Sequence, residues 1–257
     1  MGNDRKNQKV MNVSEIQLFC LPYSGGKAQV FNEILALISP GIEVFPIEYA
    51  GKGTRAKEPF FEEYNSFIQD VVCQISSKRN KQVPYALFGY SIGALFAYDI
   101  ASKKLIEGEL IHTFIGGCCS ADEHRLEERL SDLPDDEFWN RIIAMGGVRK
   151  ELLGNRKFLK IFSRALRADF HIGEQFEFSS NQPEPLCNAT ILYSEEDTPY
   201  ISVKGWDRLF EGGVDFELFT GDHFFAFENH ERTAGIINER LRKCIDDRQK
   251  ISKTFLG

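Results

Sequence analysis

The sequence predicts an α/β domain: a mostly parallel sheet with helices on both faces and a helical segment inserted in the middle of the chain. Three observations carry this. Short apolar runs bounded by Pro and Gly alternate with helix-period stretches from residue 16 to residue 115. Strand signals then lapse between residues 122 and 182, where only helix periods and polar linkers occur. They resume twice before a last helical stretch. Alternation of this kind marks a parallel sheet covered on both sides. With 257 residues, 42% of them hydrophobic, the chain can bury one large core. The reading is therefore one domain over 1–257, with 122–182 as an insertion.

The elements follow in order. Residues 16–21 form an apolar run ended by Pro22, Gly25 and Gly26, and read as a buried strand. Residues 30–38 place Val30, Phe31, Ile34, Leu35 and Ile38 at helical spacing, and Pro40 and Gly41 stop the helix. Residues 44–49 are strand-like, and Gly51 and Gly53 open a loop. Residues 64–75 are an amphipathic helix with Tyr64, Phe67, Ile68, Val71, Val72 and Ile75 on one face. A strand at 85–88, a small-residue helix at 91–105 and a strand at 110–115 complete the alternation. The insertion carries helices at 133–145 and 158–170. Strands at 190–193 and 215–219 and a helix at 231–245 close the chain.

Composition excludes several classes. A net charge of −7 and a pI near 5.4 argue against a surface for duplex nucleic acid. No run approaches the roughly 18 apolar residues of a membrane span. Residues 1–10 are polar and lack the apolar core of a secretory signal. Six cysteines without a Cys-x-x-Cys pair form neither a disulfide framework nor a metal site. A reducing, cytoplasmic setting and no metal are expected.

The sharpest local signal is Gly89-Tyr90-Ser91-Ile92-Gly93, a Gly-x-Ser-x-Gly pentapeptide between a predicted strand and a predicted helix. That is the context of a nucleophile elbow, whose glycines let strand and helix pass close to the serine turn. A serine hydroxyl needs a base. Of five histidines, His112 lies in a strand pattern, His124 in a charged run where it reads as solvated, His171 at a helix end and His230 in a polar turn. His223 follows the strand at 215–219 and the turn Thr220-Gly221-Asp222, where this architecture puts its base. An acid should follow the preceding strand, and Ser194-Glu195-Glu196-Asp197 supplies it. Asp197 is the choice and Glu196 the alternative. Asp222 reads as a turn former. The order Ser91, Asp197, His223 is that of α/β-hydrolases. Oxyanion donors are expected from the backbone N–H of Ile92 and, in the loop Pro22-Tyr23-Ser24-Gly25-Gly26, of Ser24, with Tyr23 second. Cys118 and Cys119 lack an elbow and read as buried thiols.

Together these segments resemble one family, the stand-alone type II thioesterases of polyketide and nonribosomal peptide synthesis. The matching pieces are 18–26, Gly51-Lys52-Gly53-Thr54-Arg55, 86–95, Leu166-Arg167-Ala168-Asp169-Phe170 and Gly221-Asp222-His223-Phe224-Phe225. The resemblance spans about residues 16–245. It implies an α/β-hydrolase fold, with Ser91, Asp197 and His223 as triad and Ser24 and Ile92 as oxyanion donors. It implies a helical lid over the site in the insertion. It also implies an activity: hydrolysis of acyl thioesters from the phosphopantetheine arm of carrier proteins, without a resident cofactor. Tyr90, Ala50 and Asp222 depart from the family, which usually has His, Pro and Gly there. The insertion is electrically polarised. Residues 122–137 hold eight acids against Arg125 and Arg129, and residues 149–167 hold seven Lys or Arg against Glu151. Since carrier proteins are commonly acidic, Arg156, Lys157 and Lys160 are candidate docking residues. A small-molecule carboxylesterase, a medium-chain releasing thioesterase and a non-catalytic carrier-binding protein are the competing readings.

Overall fold

The computed structural model describes residues 14–124, 129–148 and 156–255; of 156–158, 160, 161 and 251–255 it describes the backbone. The described strands are β1 (Ile16–Leu21), β2 (Ile42–Pro46), β3 (Tyr85–Tyr90), β4 (Leu110–Gly116), β5 (Asn188–Ser194) and β6 (Val214–Phe219). They form one sheet in the order β2-β1-β3-β4-β5-β6, and every neighbouring pair is parallel. The helices are α1 (Asn32–Leu35), α2 (Tyr64–Lys78), α3 (Ile92–Ser102), α4 (Asp135–Ala144), α5 (Arg156–Gly173), α6 (Tyr200–Val203), α7 (Phe225–Glu228) and α8 (His230–Phe255).

The central strands are continuous apolar runs because both faces are covered. Every residue of β1 and β3 is buried. Successive side chains point to opposite faces. Phe19 and Leu21 therefore join one core with Phe67 and Val71 of α2 and Leu95 of α3. Leu18 and Cys20 join the other, with Ile34 of α1 and Ile237 and Leu241 of α8. A third, smaller cluster ties Phe138 and Ile142 of α4 to Leu166 of α5.

Among the described residues, the chain between β4 and β5 contributes helices and turns and no strand. Arg167 bridges this segment: it donates to Ser131 O at 2.8 Å and to Asp135 at 2.9 Å, and it stacks over the Phe138 ring. Part of the basic run is thus turned inward onto the acidic half. The expected helix at 30–38 is shorter. Ala28–Phe31 is a 3-10 turn and only Asn32–Leu35 is α-helical. The last helix runs ten residues past its expected end, to Phe255. Two one-turn helices, α6 and α7, had no periodicity to announce them, because four residues do not complete a period pattern.

In an open parallel sheet, ligands bind beyond the carboxyl ends of the strands where the strand order reverses. Here that point lies between β1 and β3. The loop after β1 and the turn after β3 flank it.

Candidate active site

Ser91 sits between β3 and α3 with φ 54° and ψ −122°, a strained backbone for a side-chain-bearing residue. Its N–H donates to Gly116 O at 2.7 Å, which fixes the turn against β4. The flanking glycines are sterically required. A Cβ on Gly89 would lie 2.1 Å from Gly93 O, and one on Gly93 would lie 2.3 Å from Leu21 O. These are backbone contacts and cannot be relieved by a rotamer change.

His223 follows β6 by four residues. Its Nδ1 lies 2.9 Å from Asp197 Oδ1. The other oxygen, Asp197 Oδ2, accepts from the Thr198 hydroxyl at 2.6 Å. Glu196, the alternative acid, instead accepts from the Gly221 N–H at 3.1 Å and steadies the turn before His223. Asp222 shapes that turn, its carbonyl accepting from Phe225 N–H at 2.8 Å. Tyr90, the elbow departure, is fully buried. Its hydroxyl donates to His223 O at 3.0 Å. Burial and the nearby Asp197 charge hold its phenol well above the usual range. Tyr90 thus anchors the His223 backbone.

Ser24, Ser91, Ile92, Asp197 and His223 line one cavity of about 320 Å³ at the strand ends. Its wall is completed by apolar groups, including Ile142, Met145, Leu166 and Phe170 from α4, α5 and the turn after α4. Ile92 is the first residue of α3, so its N–H has no intrahelical acceptor. Among the described residues, Ser24 N–H donates to no backbone carbonyl, while Gly26 N–H is turned to Tyr23 O at 2.9 Å. Tyr23 also lines the cavity.

Two charged residues of the motif segments meet beneath this loop, although neither one's sequence neighbourhood signals their pairing. Asp169 Oδ2 accepts from Gly25 N–H at 2.6 Å and from Lys52 Nζ at 2.5 Å. Both side chains are buried. Desolvation pushes the Asp169 carboxyl up and the Lys52 ammonium down, and their mutual attraction opposes both shifts. Gly25 has φ +75°, and a Cβ there would also meet the Phe162 ring at 2.5 Å. Helix α5 therefore packs against the β1 loop and hydrogen-bonds to it.

Three further expectations are corrected or left aside. His124 is not a solvated surface residue: it lines the cavity, with Nδ1 3.9 Å from Cys119 Sγ. The loop after β4 turns it inward, which a run of charges could not foretell. Cys118 is buried as expected, but Cys119 is only half-buried and faces the cavity. Arg156, Lys157 and Lys160 begin α5, and their side chains lie outside the described residues. Among the described residues no cluster of metal-ligating side chains occurs, and no helix is long and apolar enough to cross a membrane.

The chain shares 27% identity with linear gramicidin dehydrogenase LgrE of Brevibacillus parabrevis, covering 92% of each chain. It shares 26% with the gramicidin S biosynthesis protein GrsT of Aneurinibacillus migulanus, covering 92% of this chain and 93% of that one. Among solved structures it resembles ClbQ of the colibactin NRPS/PKS pathway, with a TM-score of 0.83 and 27% identity over 90% of this chain and 98% of that one. The family model for the thioesterase domain matches residues 16–241. An elbow serine, an acid-paired histidine and the glycine-bearing loop after β1 around one apolar cavity thus stand on a chain that belongs to the thioesterase family.

Proposed function

We propose that this protein is a serine thioesterase that removes acyl groups from the phosphopantetheine arms of carrier proteins in polyketide or nonribosomal peptide assembly, as an editing enzyme. The observation that carries this is the His223–Asp197 contact at 2.9 Å, in a cavity that Ser91 also lines. Asp197 holds the imidazole with its proton on Nδ1, leaving Nε2 as base. Ser91 Oγ gives its proton to His223 and attacks the thioester carbonyl. The carbonyl oxygen becomes an oxyanion, received by the N–H groups of Ser24 and Ile92. The C–S bond breaks, and the thiolate leaves with the proton from His223. Water, deprotonated by His223, then attacks the Ser91 ester, and the acid departs as Ser91 recovers its proton. The scheme needs no resident metal or cofactor; the phosphopantetheine arrives on the partner.

The segment between β4 and β5 serves as the lid. Its apolar side chains exclude water and shape the acyl chamber. The LgrE name speaks of a dehydrogenase. A dinucleotide site of that kind carries Gly-x-Gly-x-x-Gly in the first strand-to-helix turn. This chain has Pro22-Tyr23-Ser24-Gly25-Gly26 there.

The test is a panel of acyl groups on a carrier protein, read by intact mass, with Ser91→Ala as control. Editing predicts broad hydrolysis of short and aberrant acyl groups, whereas preference for one chain length indicates chain release. Full activity in Ser91→Ala removes the scheme. For docking, neutralising Arg156, Lys157 and Lys160 raises KM for acyl-carrier protein and leaves it unchanged for a small thioester. An equal effect on both rules out electrostatic steering.

A further inference from the structure

The acyl cavity holds three groups that hydrolysis does not use. Cys118, Cys119 and His124 follow β4 and line the same cavity as Ser91 and His223. The loop that carries them is fixed. Trp206 Nε1 donates to Cys118 O at 3.2 Å, Ser120 N–H to Ser202 O at 2.9 Å, and His124 N–H to Ser120 O at 3.0 Å. His124 Nδ1 lies 3.9 Å from Cys119 Sγ. Its Nε2 is buried with no partner among the described residues. We propose that Cys119 is a modification site: a reactive thiol inside the acyl cavity, paired with His124, that takes soft electrophiles and small disulfides and whose modification blocks hydrolysis.

The thiolate is the reactive form of cysteine. A hydrogen bond from the Cys118 thiol, then His124, favours ionised Cys119, against burial and the Glu123 charge. The same bond, with burial and Asp197, keeps Cys118 protonated. Glu174 and His223 line the cavity as well. Three other thiols are placed differently. Cys20 and Cys187 are buried, and burial pushes the Cys187 thiol up to about 11. Cys73 is exposed on α2 without such partners among the described contacts. With a disulfide, Cys119 sulfur attacks one sulfur, a new S–S bond forms, the old one breaks and a thiolate leaves. With an alkyl iodide, a C–S bond forms and iodide leaves. The group added at Cys119 then occupies space the acyl chain needs. The inhibition rests on the proposed thioesterase activity; the labelling does not.

The experiment treats the full chain with limiting iodoacetamide at pH 6 and pH 8. It reads labelled peptides by mass and turnover of acyl-carrier protein before and after treatment. Cys119 is expected to label at least about tenfold faster than Cys73. Its rate should fall only a few-fold from pH 8 to pH 6, where an ordinary thiol of pKa about 8.5 loses about seventy-fold. Residual turnover should decline in step with the Cys119 label. Cys119→Ser and Cys119→Ala should each keep the same turnover treated as untreated. His124→Asn should restore a steep pH dependence of labelling. Faster labelling of Cys73 or Cys118, an ordinary pH dependence at Cys119, or undiminished turnover in labelled protein would overturn the proposal. If the untreated chain hydrolyses no acyl-carrier protein, the thioesterase reading fails, while the labelling pattern still decides whether the thiol is reactive.

Discussion

Replacing Lys52 with Met removes one of two donors from Asp169 Oδ2 and leaves the carboxyl buried on the Gly25 N–H. The two side chains are only 2% and 7% exposed, so solvent cannot take the place of the lost partner. Breaking a buried pair by removing one member costs about 3–5 kcal/mol. Replacing both members with apolar groups is often neutral or stabilising. In Lys52→Met/Asp169→Leu the Gly25 N–H loses its acceptor, a penalty of about 1–3 kcal/mol. The double variant is therefore expected within about 2 kcal/mol of the parent, and either single variant well below it. Urea unfolding of the four proteins reads this directly. With a slope of about 3 kcal/mol/M, a loss of 4 kcal/mol moves the midpoint by about 1.3 M. The pH dependence gives an independent sign. Burial raises Asp169, and in Lys52→Met the opposing ammonium is gone. A carboxyl whose folded pKa exceeds its unfolded value, about 3.9, binds more protons when folded. Its stabilisation is present at low pH and lost as pH rises through the folded pKa. The Lys52→Met penalty should thus shrink between pH 8 and pH 5. Activity should divide differently. Asp169→Leu and the double variant lose the Gly25 anchor and should lose tenfold or more in kcat/KM, even where the double variant is stable. A double variant as unstable as the singles, or a penalty independent of pH, would refute the reasoning.

Asp197→Asn should lower kcat by about 10²–10⁴ with little change in Tm, because the amide permits the wrong imidazole tautomer and no longer offsets the imidazolium charge; near-parent turnover at saturating acyl-carrier protein would exclude Asp197 as that partner. Tyr90→Phe removes the donor to His223 O and should cost about 1–2 kcal/mol in urea and reduce kcat more than it changes KM. Unchanged stability and kcat together would show that this bond does not hold the base. His112 is buried against Thr190 Oγ1 at 2.9 Å, and burial pushes its imidazole down to about 3. Its neutral form is favoured on folding, so this stability is present above pH 6.5 and is lost progressively as pH falls toward 3. His112→Gln should flatten acid unfolding by about 1.4 kcal/mol per pH unit below 6.5, measured as urea midpoints from pH 7 to 4.

The strands were legible because β1 and β3 are buried on both faces and so read as unbroken apolar runs. The turn at Ala28–Phe31 was not, since its apolar residues carry the same spacing as a helix. In the site, Ser91, Asp197 and His223 were proposed from motif and chain order, which local sequence records, and the structure places all three on one cavity. The Lys52–Asp169 pair spans 117 positions. Nothing in either neighbourhood distinguishes a charge that will be buried from one that stays in water. His124 misled for the same reason, and Arg167, counted in the basic run, follows the same rule. Each sits in a charged run, yet one folds back onto Ser131 and Asp135 and the other turns into the cavity. Periodicity reports which face of an element is apolar, and it is silent on where a loop turns next.

The parts of the site are held by groups from other elements. Gly25, after β1, is held by Asp169 of α5. His223, after β6, is held by Asp197 after β5 and by Tyr90 at the end of β3. His223 is thereby fixed to the sheet, and the proposed oxyanion loop is tied to the inserted segment. Hydrogen bonds lose most of their strength beyond about 3.5 Å. From 2.6 Å, a shift of α5 by about 1 Å along the bond already loosens Gly25, while the His223–Asp197 contact is untouched. The position of α5 therefore acts on the proposed oxyanion loop and leaves His223 in place, so variants that loosen α5 should lower kcat and leave the fold-loss caused by Asp197→Asn unchanged.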